Sequence, residues 1–243
     1  MCNTLIRNRH FIFRLQILIL LLTVCSSTVF AQFSIREHDD ENMKRKFHFG
    51  VALAYNKSDY KITLDSNFIV QKNVLNVESV KGPGFSLGIV SDYHLGRYFD
   101  LRFIPALSFG EKDILYTQKD SIQKVNKKIE SVYLEFPFLL KYKSKPYNNM
   151  RMYAIGGLKY VIDMQSNATA RRAENLIKVK QNDYQFEYGI GIELHAPMAI
   201  VAPEIKISYG LTNVLQNDDN LIYSSVLSRL RTRTIMFTLH LEG

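Results

Sequence analysis

The segment Asp183–His195 reads Asp-Tyr-Gln-Phe-Glu-Tyr-Gly-Ile-Gly-Ile-Glu-Leu-His. Its even positions (Tyr184, Phe186, Tyr188, Ile190, Ile192, Leu194) are all large and apolar. Its odd positions (Asp183, Gln185, Glu187, Gly189, Gly191, Glu193, His195) are all polar or glycine. Successive side chains of an extended strand point to opposite faces, so a period of two separates the two sets completely. The stretch is long enough to cross a bilayer, which takes about 9–11 tilted strand residues. A single strand of this kind could equally lie on a soluble core. What decides the class is that the chain repeats it.

Phe47–Asn56 sets Phe47, Phe49, Val51, Leu53 and Tyr55 against His48, Gly50, Ala52, Ala54 and Asn56. Gly84–Leu95 sets Phe85, Leu87, Ile89, Tyr93 and Leu95 against Ser86, Gly88, Asp92 and His94, with Ser91 a polar exception on the apolar face. Leu101–Phe109 follows after a very short turn. Its Pro105 has no N–H to give a sheet, and a β-bulge there is the expected accommodation. Val132–Tyr142 points Val132, Leu134, Phe136, Phe138, Leu140 and Tyr142 outward, with Tyr133, Glu135, Pro137, Leu139 and Lys141 inward. Met150–Met164 places Met152, Ala154, Leu158, Tyr160 and Ile162 outward, because Arg151, Lys159 and Asp163 share the other parity. Val201–Leu211 and Thr232–Leu241 complete the set.

With the opening stretch this predicts an all-β chain of eight strands. The connections Lys57–Pro83, Gly110–Lys128, Gln165–Asn182 and Thr212–Leu230 read as long loops, the first with a hairpin extension around Tyr60–Leu64 and Phe68–Val70. Gly96–Tyr98, Lys143–Asn149 and Ala196–Met198 read as short turns, the second with Asn-Asn turn chemistry. Long loops at one end and short turns at the other are the asymmetry of an eight-stranded antiparallel transmembrane β-barrel of the outer-membrane type. A soluble ligand-binding barrel would have the opposite polarity, apolar inside.

The first residues read as a targeting segment. Arg7, Arg9 and Arg14 precede the apolar run Leu15–Val24, and Val29-Phe30-Ala31 resembles a cleavage site. The expected division is a signal peptide at 1–31, a charged periplasmic leader at 32–46 and a barrel domain at 47–243. Cys2 and Cys25, the two cysteines of the chain, both fall in the signal segment. The mature chain is then expected to have no disulfide, thiol catalyst or cysteine metal site. Loss of the three signal arginines takes the net charge from +8 to +5, too mild an excess to suggest nucleic acid.

No nucleotide, metal or nucleophile motif is present. Gly82-Pro-Gly84 opens a strand and Gly189-Ile-Gly191 lies within one, so neither is a phosphate loop. An enzyme acting at the lipid boundary would draw on loop residues such as Asp120 and Ser121, but no loop offers a histidine beside them, and the expectation is no enzyme and no cofactor. The parity places a set of charges inside the barrel: Asp92, Asp100, Arg102, Glu135, Lys141, Arg151, Lys159, Asp163, Glu187, Glu193, Glu204 and Lys206. They would form either a conduction path or a salt-bridged plug, and an eight-stranded interior, just wide enough for side chains, favours the plug. His48, His94 and His240 also point inward near the periplasmic ends of neighbouring strands, where a metal-binding cluster is conceivable against the simpler reading of three separate polar residues. Lys119, Lys124, Lys127, Lys128, Arg171, Arg172, Lys178 and Lys180 read as a solvated outer surface able to meet anionic lipopolysaccharide.

Two stretches carry a family resemblance: Leu101-Arg-Phe-Ile-Pro-Ala-Leu-Ser-Phe-Gly-Glu-Lys-Asp-Ile-Leu-Tyr116 and Ile129-Glu-Ser-Val-Tyr-Leu-Glu-Phe-Pro-Phe-Leu-Leu-Lys-Tyr-Lys-Ser-Lys145. Both resemble the PorT (SprT) proteins of the Bacteroidetes type IX secretion system, and Gly156–Tyr160 and Tyr209–Asn213 are compatible with them. The Tyr-Leu-Glu-Phe-Pro segment is shared with Bacteroidetes outer-membrane barrels more widely. The resemblance implies an outer-membrane barrel required for protein export and, in some organisms, gliding motility. It brings no catalytic residue with it. The expected partners are outer-membrane lipid and lipopolysaccharide together with a translocon or periplasmic component of the secretion system, the barrel itself being monomeric. The competing readings are a structural or adhesion barrel with no secretion role, and a small pore.

Overall fold

The computed structural model describes residues 46–64, 74–118, 124–166, 179–196, 198–216 and 227–243. They form ten strands: β1 (Phe47–Leu64), β2 (Val74–Val80), β3 (Gly82–His94), β4 (Phe99–Phe103), β5 (Ala106–Gln118), β6 (Lys124–Lys143), β7 (Met150–Asp163), β8 (Asn182–His195), β9 (Ile200–Gly210) and β10 (Leu227–Glu242). Every pairing is antiparallel. β1 pairs with both β10 and β3, which closes the sheet on itself. β2 and β3 are separated by Lys81 alone and both pair with β5; β4 and β5 likewise form one course between β3 and β6. The ring therefore has eight courses. The expected signal segment, the expected leader up to Arg45, and Phe68–Val70 lie outside the described residues.

The two faces follow the alternation of the sequence. In β8 the odd residues from Asp183 to Glu187 are buried and Tyr184, Phe186, Tyr188 and Ile190 are exposed. An exposed apolar band runs round the wall through Val51, Leu53, Leu87, Ile89, Phe138, Leu140, Leu158, Ile205 and Phe237. Aromatic pairs mark its two edges. Phe47–Tyr93 (4.8 Å between centroids) and Phe99–Tyr142 (5.1 Å) lie toward the short-turn end, Phe85–Phe109 (4.8 Å) and Tyr160–Tyr184 (5.1 Å) toward the other. These are the girdles of a wall that meets lipid along its middle and headgroups at its rims.

Beyond that band the alternation continues with its polarity reversed, and this corrects the expected loop boundaries. β1 runs to Leu64, β5 to Gln118, and β6 and β10 begin at Lys124 and Leu227, so much of the supposed loop sequence is strand. On β1 the exposed positions become Lys57 and Lys61 while Tyr60 is buried; on β5 Ile114 and Tyr116 are fully buried. Above the hydrocarbon the outward face meets water and headgroups, so it takes polar residues, and the lumen takes the apolar ones.

The bulge expected at Pro105 is absent. Phe103↔Phe138 and Ala106↔Glu135 lie on one register with β6, and Ser91↔Phe103 and Gly88↔Ala106 on one register with β3. No residue is inserted. The ladder is only interrupted, since the Pro105 carbonyl still accepts from the Ile89 N–H (3.0 Å) and that of Pro137 from the Ile104 N–H (3.4 Å). Each proline withholds one donor and keeps its acceptor, which a closed ring tolerates better than an edge would. Pro203 acts similarly: the β8–β9 pairing skips from Gly191↔Glu204 to Leu194↔Val201 without changing register. An open groove of about 460 Å³ lies there on the lipid-facing wall, lined by Met152, Ala154, Ile190, Ile192, Ile205 and Phe237 among others.

At the short-turn end, Tyr147 and Met150 exchange two backbone hydrogen bonds of 2.9 Å around Asn148 (φ 45°) and Asn149 (φ 60°). Two consecutive positive φ values define a type I′ hairpin, the turn whose twist matches its strands and which asparagine tolerates. Phe47 of β1 and Glu242 of β10 also lie at this end, and the expected orientation puts the short turns in the periplasm and the long hairpins outside. Single cysteines introduced at Thr63 and Arg97 test this. A membrane-impermeant maleimide applied to intact cells should label the first and spare the second until the outer membrane is opened, whereas labelling at Arg97 alone would invert the orientation.

Candidate functional site

The interior is the site to be explained. Along each strand the inward residue is every second one, so neighbouring strands deliver their polar side chains into a lumen only wide enough for them. Arg102 on β4 is fully buried at its centre. Its Nε and Nη2 donate to the two oxygens of Asp92 on the adjacent β3, at 2.7 and 2.6 Å. The same Nη2 donates across the lumen to Glu242 Oε1 of β10 at 2.5 Å, and Nη1 reaches Glu204 Oε2 of β9 at 3.4 Å. One guanidinium fork thus ties together strands on opposite sides of the barrel, with the bidentate geometry that makes arginine–carboxylate pairs strong.

The pairing propagates in both directions. Lys141 Nζ lies 3.0 Å from Asp92 and also contacts Glu193. Lys206 Nζ sits between Glu204 (3.4 Å) and Glu187 (3.3 Å), and Lys159 Nζ between Glu187 (3.1 Å) and Glu135 (3.3 Å). The order Glu193, Lys141, Asp92, Arg102, Glu204, Lys206, Glu187, Lys159, Glu135 alternates in sign throughout. Ser208 donates to Glu187 at 2.7 Å, and the Tyr153 ring lies beneath both Lys141 Nζ (4.6 Å) and the Arg102 guanidinium (5.5 Å). A Cβ on Gly191 would fall 2.4 Å from the Tyr153 hydroxyl, so glycine makes the room for that ring.

Nearer the short-turn end, Asp100 forms an ion pair with Lys143 (2.6 Å) and meets His94 Nδ1 (2.6 Å), whose ring lies 4.7 Å from that of His48. His240 is elsewhere: it stands opposite Ala52, four residues along β1 from His48, and its Nε2 is 3.1 Å from Glu204. Four strand residues span about 13 Å. The structure brings together two of the three histidines, and among the described residues no group of three or more His, Cys, Asp or Glu has metal-holding geometry.

Above the charges comes a hydroxyl and amide layer. Asn56 donates to Ser86 (2.9 Å) and Ser108 (3.3 Å), and Ser131 donates to Asp163 (3.0 Å). Lys112 Nζ donates to the Tyr133 hydroxyl (3.0 Å) with its charge over the rings of Tyr133 and Tyr60. A cavity of about 30 Å³ lies here, lined by Asn56, Ser108, Lys112, Tyr133 and Asp163 among others. At roughly 10–15 Å³ per water, it has room for about two or three. The lumen is then sealed by an apolar cluster of Tyr60, Val77, Ile114, Tyr116, Val179, Val214, Leu215, Leu227 and Leu230. Val179 and Leu215, both in this cluster, form a β-bridge, and Lys180 N donates to Val214 O (2.8 Å). Burial beneath this seal pushes the Tyr60 phenol well above its ordinary pKa.

All twelve charges assigned inward by parity are buried. Eight of them make the alternating chain with Arg102, namely Asp92, Glu135, Lys141, Lys159, Glu187, Glu193, Glu204 and Lys206; Asp100 and Asp163 hold separate contacts, and Arg151 stands opposite Glu193 in the β7–β8 register. Lys143, Glu242, Lys112 and Asp183 belong to the interior as well and were missing from that reading. The first two share parity with Lys141 and His240 one step further along their strands. Lys112 fell in a presumed loop. Of the loop cations, Lys128 is exposed on β6, where hydrogen bonds from it to Glu111 (2.7 Å) and Glu130 (2.8 Å) raise its pKa above the usual lysine range. Lys119, Arg171, Arg172, Lys178, Asp120, Ser121 and the side chains of Lys124 and Lys127 lie outside the described residues.

A closed eight-course barrel with an apolar belt, aromatic girdles and a filled polar lumen is an outer-membrane β-barrel. The model of the family described as outer membrane protein beta-barrel domain matches residues 30–216, and the chain belongs to that family. Among solved structures it is similar to the outer membrane protein OprG of Pseudomonas aeruginosa, at 15% identity and TM-score 0.44 over 81% of this chain and 92% of that one. It is also similar to Ail, the attachment invasion locus protein of Yersinia pestis, solved with the heparin analogue sucrose octasulfate (11%, TM-score 0.37, 82% and 100%), and to the N-terminal barrel domain of Pseudomonas aeruginosa OprF (14%, TM-score 0.33, 79% and 96%). No curated protein matches the chain. The protein resides in the outer membrane.

Removing one partner of a buried charge network strands the rest, at a cost of about 3–5 kcal/mol. Arg102→Met should lower unfolding stability in lipid vesicles by that amount, because Asp92, Glu204 and Glu242 lose their shared cation. Arg233→Met, which breaks the half-exposed pair with Asp59, should cost at most about 1 kcal/mol. Equal, small losses in urea titrations of the two variants would mean that the interior charges are not coupled.

Proposed function

We propose that this barrel is an accessory component of type IX protein secretion: it is required for cargo proteins to cross the outer membrane but does not conduct them. The observation that carries the second half is the lumen. Arg102 bridges β4 to β9 and β10 through the middle of the barrel, and an apolar cluster lies above it. A polypeptide would have to displace both, at the cost of exposing a chain of buried charges. The secretion role itself rests on the resemblance of Leu101–Tyr116 and Ile129–Lys145 to the PorT proteins. On this reading the barrel acts as a monomer, without catalysis or cofactor, beside a separate translocon. The wall anchors it, and the periplasmic turns together with the leader at 32–46 offer the exchangeable contact with a periplasmic partner.

Deletion of the gene should leave type IX cargo inside the cell, read as cargo in the medium, while entry of small solutes stays normal. Complementation with a chain lacking Ser34–Lys44 should fail to restore export. Normal secretion by the deletion strain would discard the secretion role in favour of a structural or adhesion barrel. Full rescue by the shortened chain would keep the role and remove the leader from it.

A further inference from the structure

The outward face just above the apolar band is not evenly charged round the barrel. On β5 and β6 the signs are mixed, with Lys128 held between Glu111 and Glu130. Where β10, β1 and β3 meet, the outward cations are Arg229, Arg231 and Arg233 on β10, Lys57 and Lys61 on β1, and Lys81 between β2 and β3. The register brings them together from opposite ends of the chain. Lys61 stands directly opposite Arg231, Arg229 opposite Thr63, and Lys57 opposite Pro83, two residues from Lys81. Arg233 is spent on Asp59, to which it donates twice, at 2.8 and 2.5 Å. On the β2–β5 flank Glu78 accepts from Asn76 at 2.7 Å, and Asp113 stands opposite Val80, beside Lys81.

Like charges placed directly opposite destabilise a strand pair, so Lys61 and Arg231 need an anion between them. Arg231 is half-buried, and its Nε has no hydrogen-bond partner among the described residues. The height of the cluster says which anion. Tyr55 and Ile235 are the last exposed apolar residues of β1 and β10 before Lys57 and Arg233. The cations therefore stand one step above the hydrocarbon edge on the outer side, at the level of lipid headgroups. Arginine forks match phosphate oxygens bidentately, and lysines add point charge.

We propose that Lys57, Lys61, Lys81, Arg229 and Arg231 form a binding site for the phosphate groups of a phosphorylated glycolipid of the outer leaflet, of the lipid A type. The site is distinct from Lys128, which is already held by Glu111 and Glu130, and it stands whether or not the secretion role does. Its consequence is a barrel carrying a bound lipid on one flank, which fixes its rotation relative to any membrane partner.

The test uses the purified full chain in neutral phosphatidylcholine nanodiscs, with lipid A and enzymatically dephosphorylated lipid A as probes and native mass spectrometry as the readout. Each interfacial cation near an anionic lipid contributes roughly a fivefold factor. The wild-type chain should prefer the phosphorylated probe, and the triple variant Lys61→Gln, Arg229→Gln, Arg231→Gln should lose that preference by about a hundredfold. A control with Lys128→Gln, at an exposed cation held by Glu111 and Glu130, should keep it. Lys61, Arg229 and Lys128 are exposed and Arg231 is half-buried on the outward face, and folding of each variant is checked by heat-dependent mobility on gels. Equal retention of the two probes by the wild-type chain, or an unchanged preference in the triple variant, would overturn the proposal. So would inorganic phosphate competing at the concentration of the lipid, which would make the site one for free phosphate.

Discussion

At the centre of the barrel one guanidinium, that of Arg102, is shared by three carboxylates from three strands. The rest of the structure depends on that arrangement. A wall bathed in lipid must be apolar outside, and a period of two then sends every other residue into a narrow lumen. An isolated charge buried there would be prohibitive. A chain in which carboxylates and cations alternate is tolerable because each member faces at least one opposite charge. The geometry also links strands that share no backbone ladder. Arg102 joins β4 to β9 and β10, and Lys141 joins β6 to β8, so the ladders fix neighbours while the charges fix the cross-section.

The upper third of the molecule obeys the opposite rule. Once the outward face has left the hydrocarbon, Lys57, Lys61 and the arginines of β10 point out, and Tyr60, Ile114, Tyr116 and Leu230 point in. This inversion needs no change of backbone or register. It turns the extended hairpins into a small water-facing sheet closed over an apolar core. The lumen is thus stopped by ion pairs below and by hydrophobic packing above, two barriers of unrelated physical origin. Such a body has its walls, rims and turns left for function, and both the secretion reading and the lipid site make use of those surfaces.

Much of this was legible in the sequence. The faces of all eight courses followed from parity, because lipid outside and crowding inside both act residue by residue. So did the burial of the twelve inward charges and the Asn148–Asn149 turn. What was not legible depended on partners across the sheet. Pro105 and Pro137 keep their register because each retains its carbonyl bond to a particular neighbour, Ile89 and Ile104, which no single strand reveals. Beyond the extension around Tyr60–Leu64, the outer hairpins were hidden because a search for apolar residues facing out stops where the polarity reverses. His240 was placed beside His48 and His94 by strand order, whereas the stagger of the closed ring sets it against Ala52. The basic cluster was invisible for the same reason, its members lying near residues 57–61, 81 and 229–233 until the ring closes.

The central claim is that the interior cations are sealed from water at both ends. It is tested most directly by acylating the folded protein in detergent micelles with a small water-soluble lysine reagent and mapping the rates by mass spectrometry. Lys141, Lys159 and Lys206, each buried against two carboxylates, should remain unmodified while Lys57 and Lys61 react at the rate of free lysine, and all five should react after unfolding. Modification of Lys159 in the folded barrel at a rate comparable to that of Lys61 would contradict the account, because it would show an open, water-filled lumen.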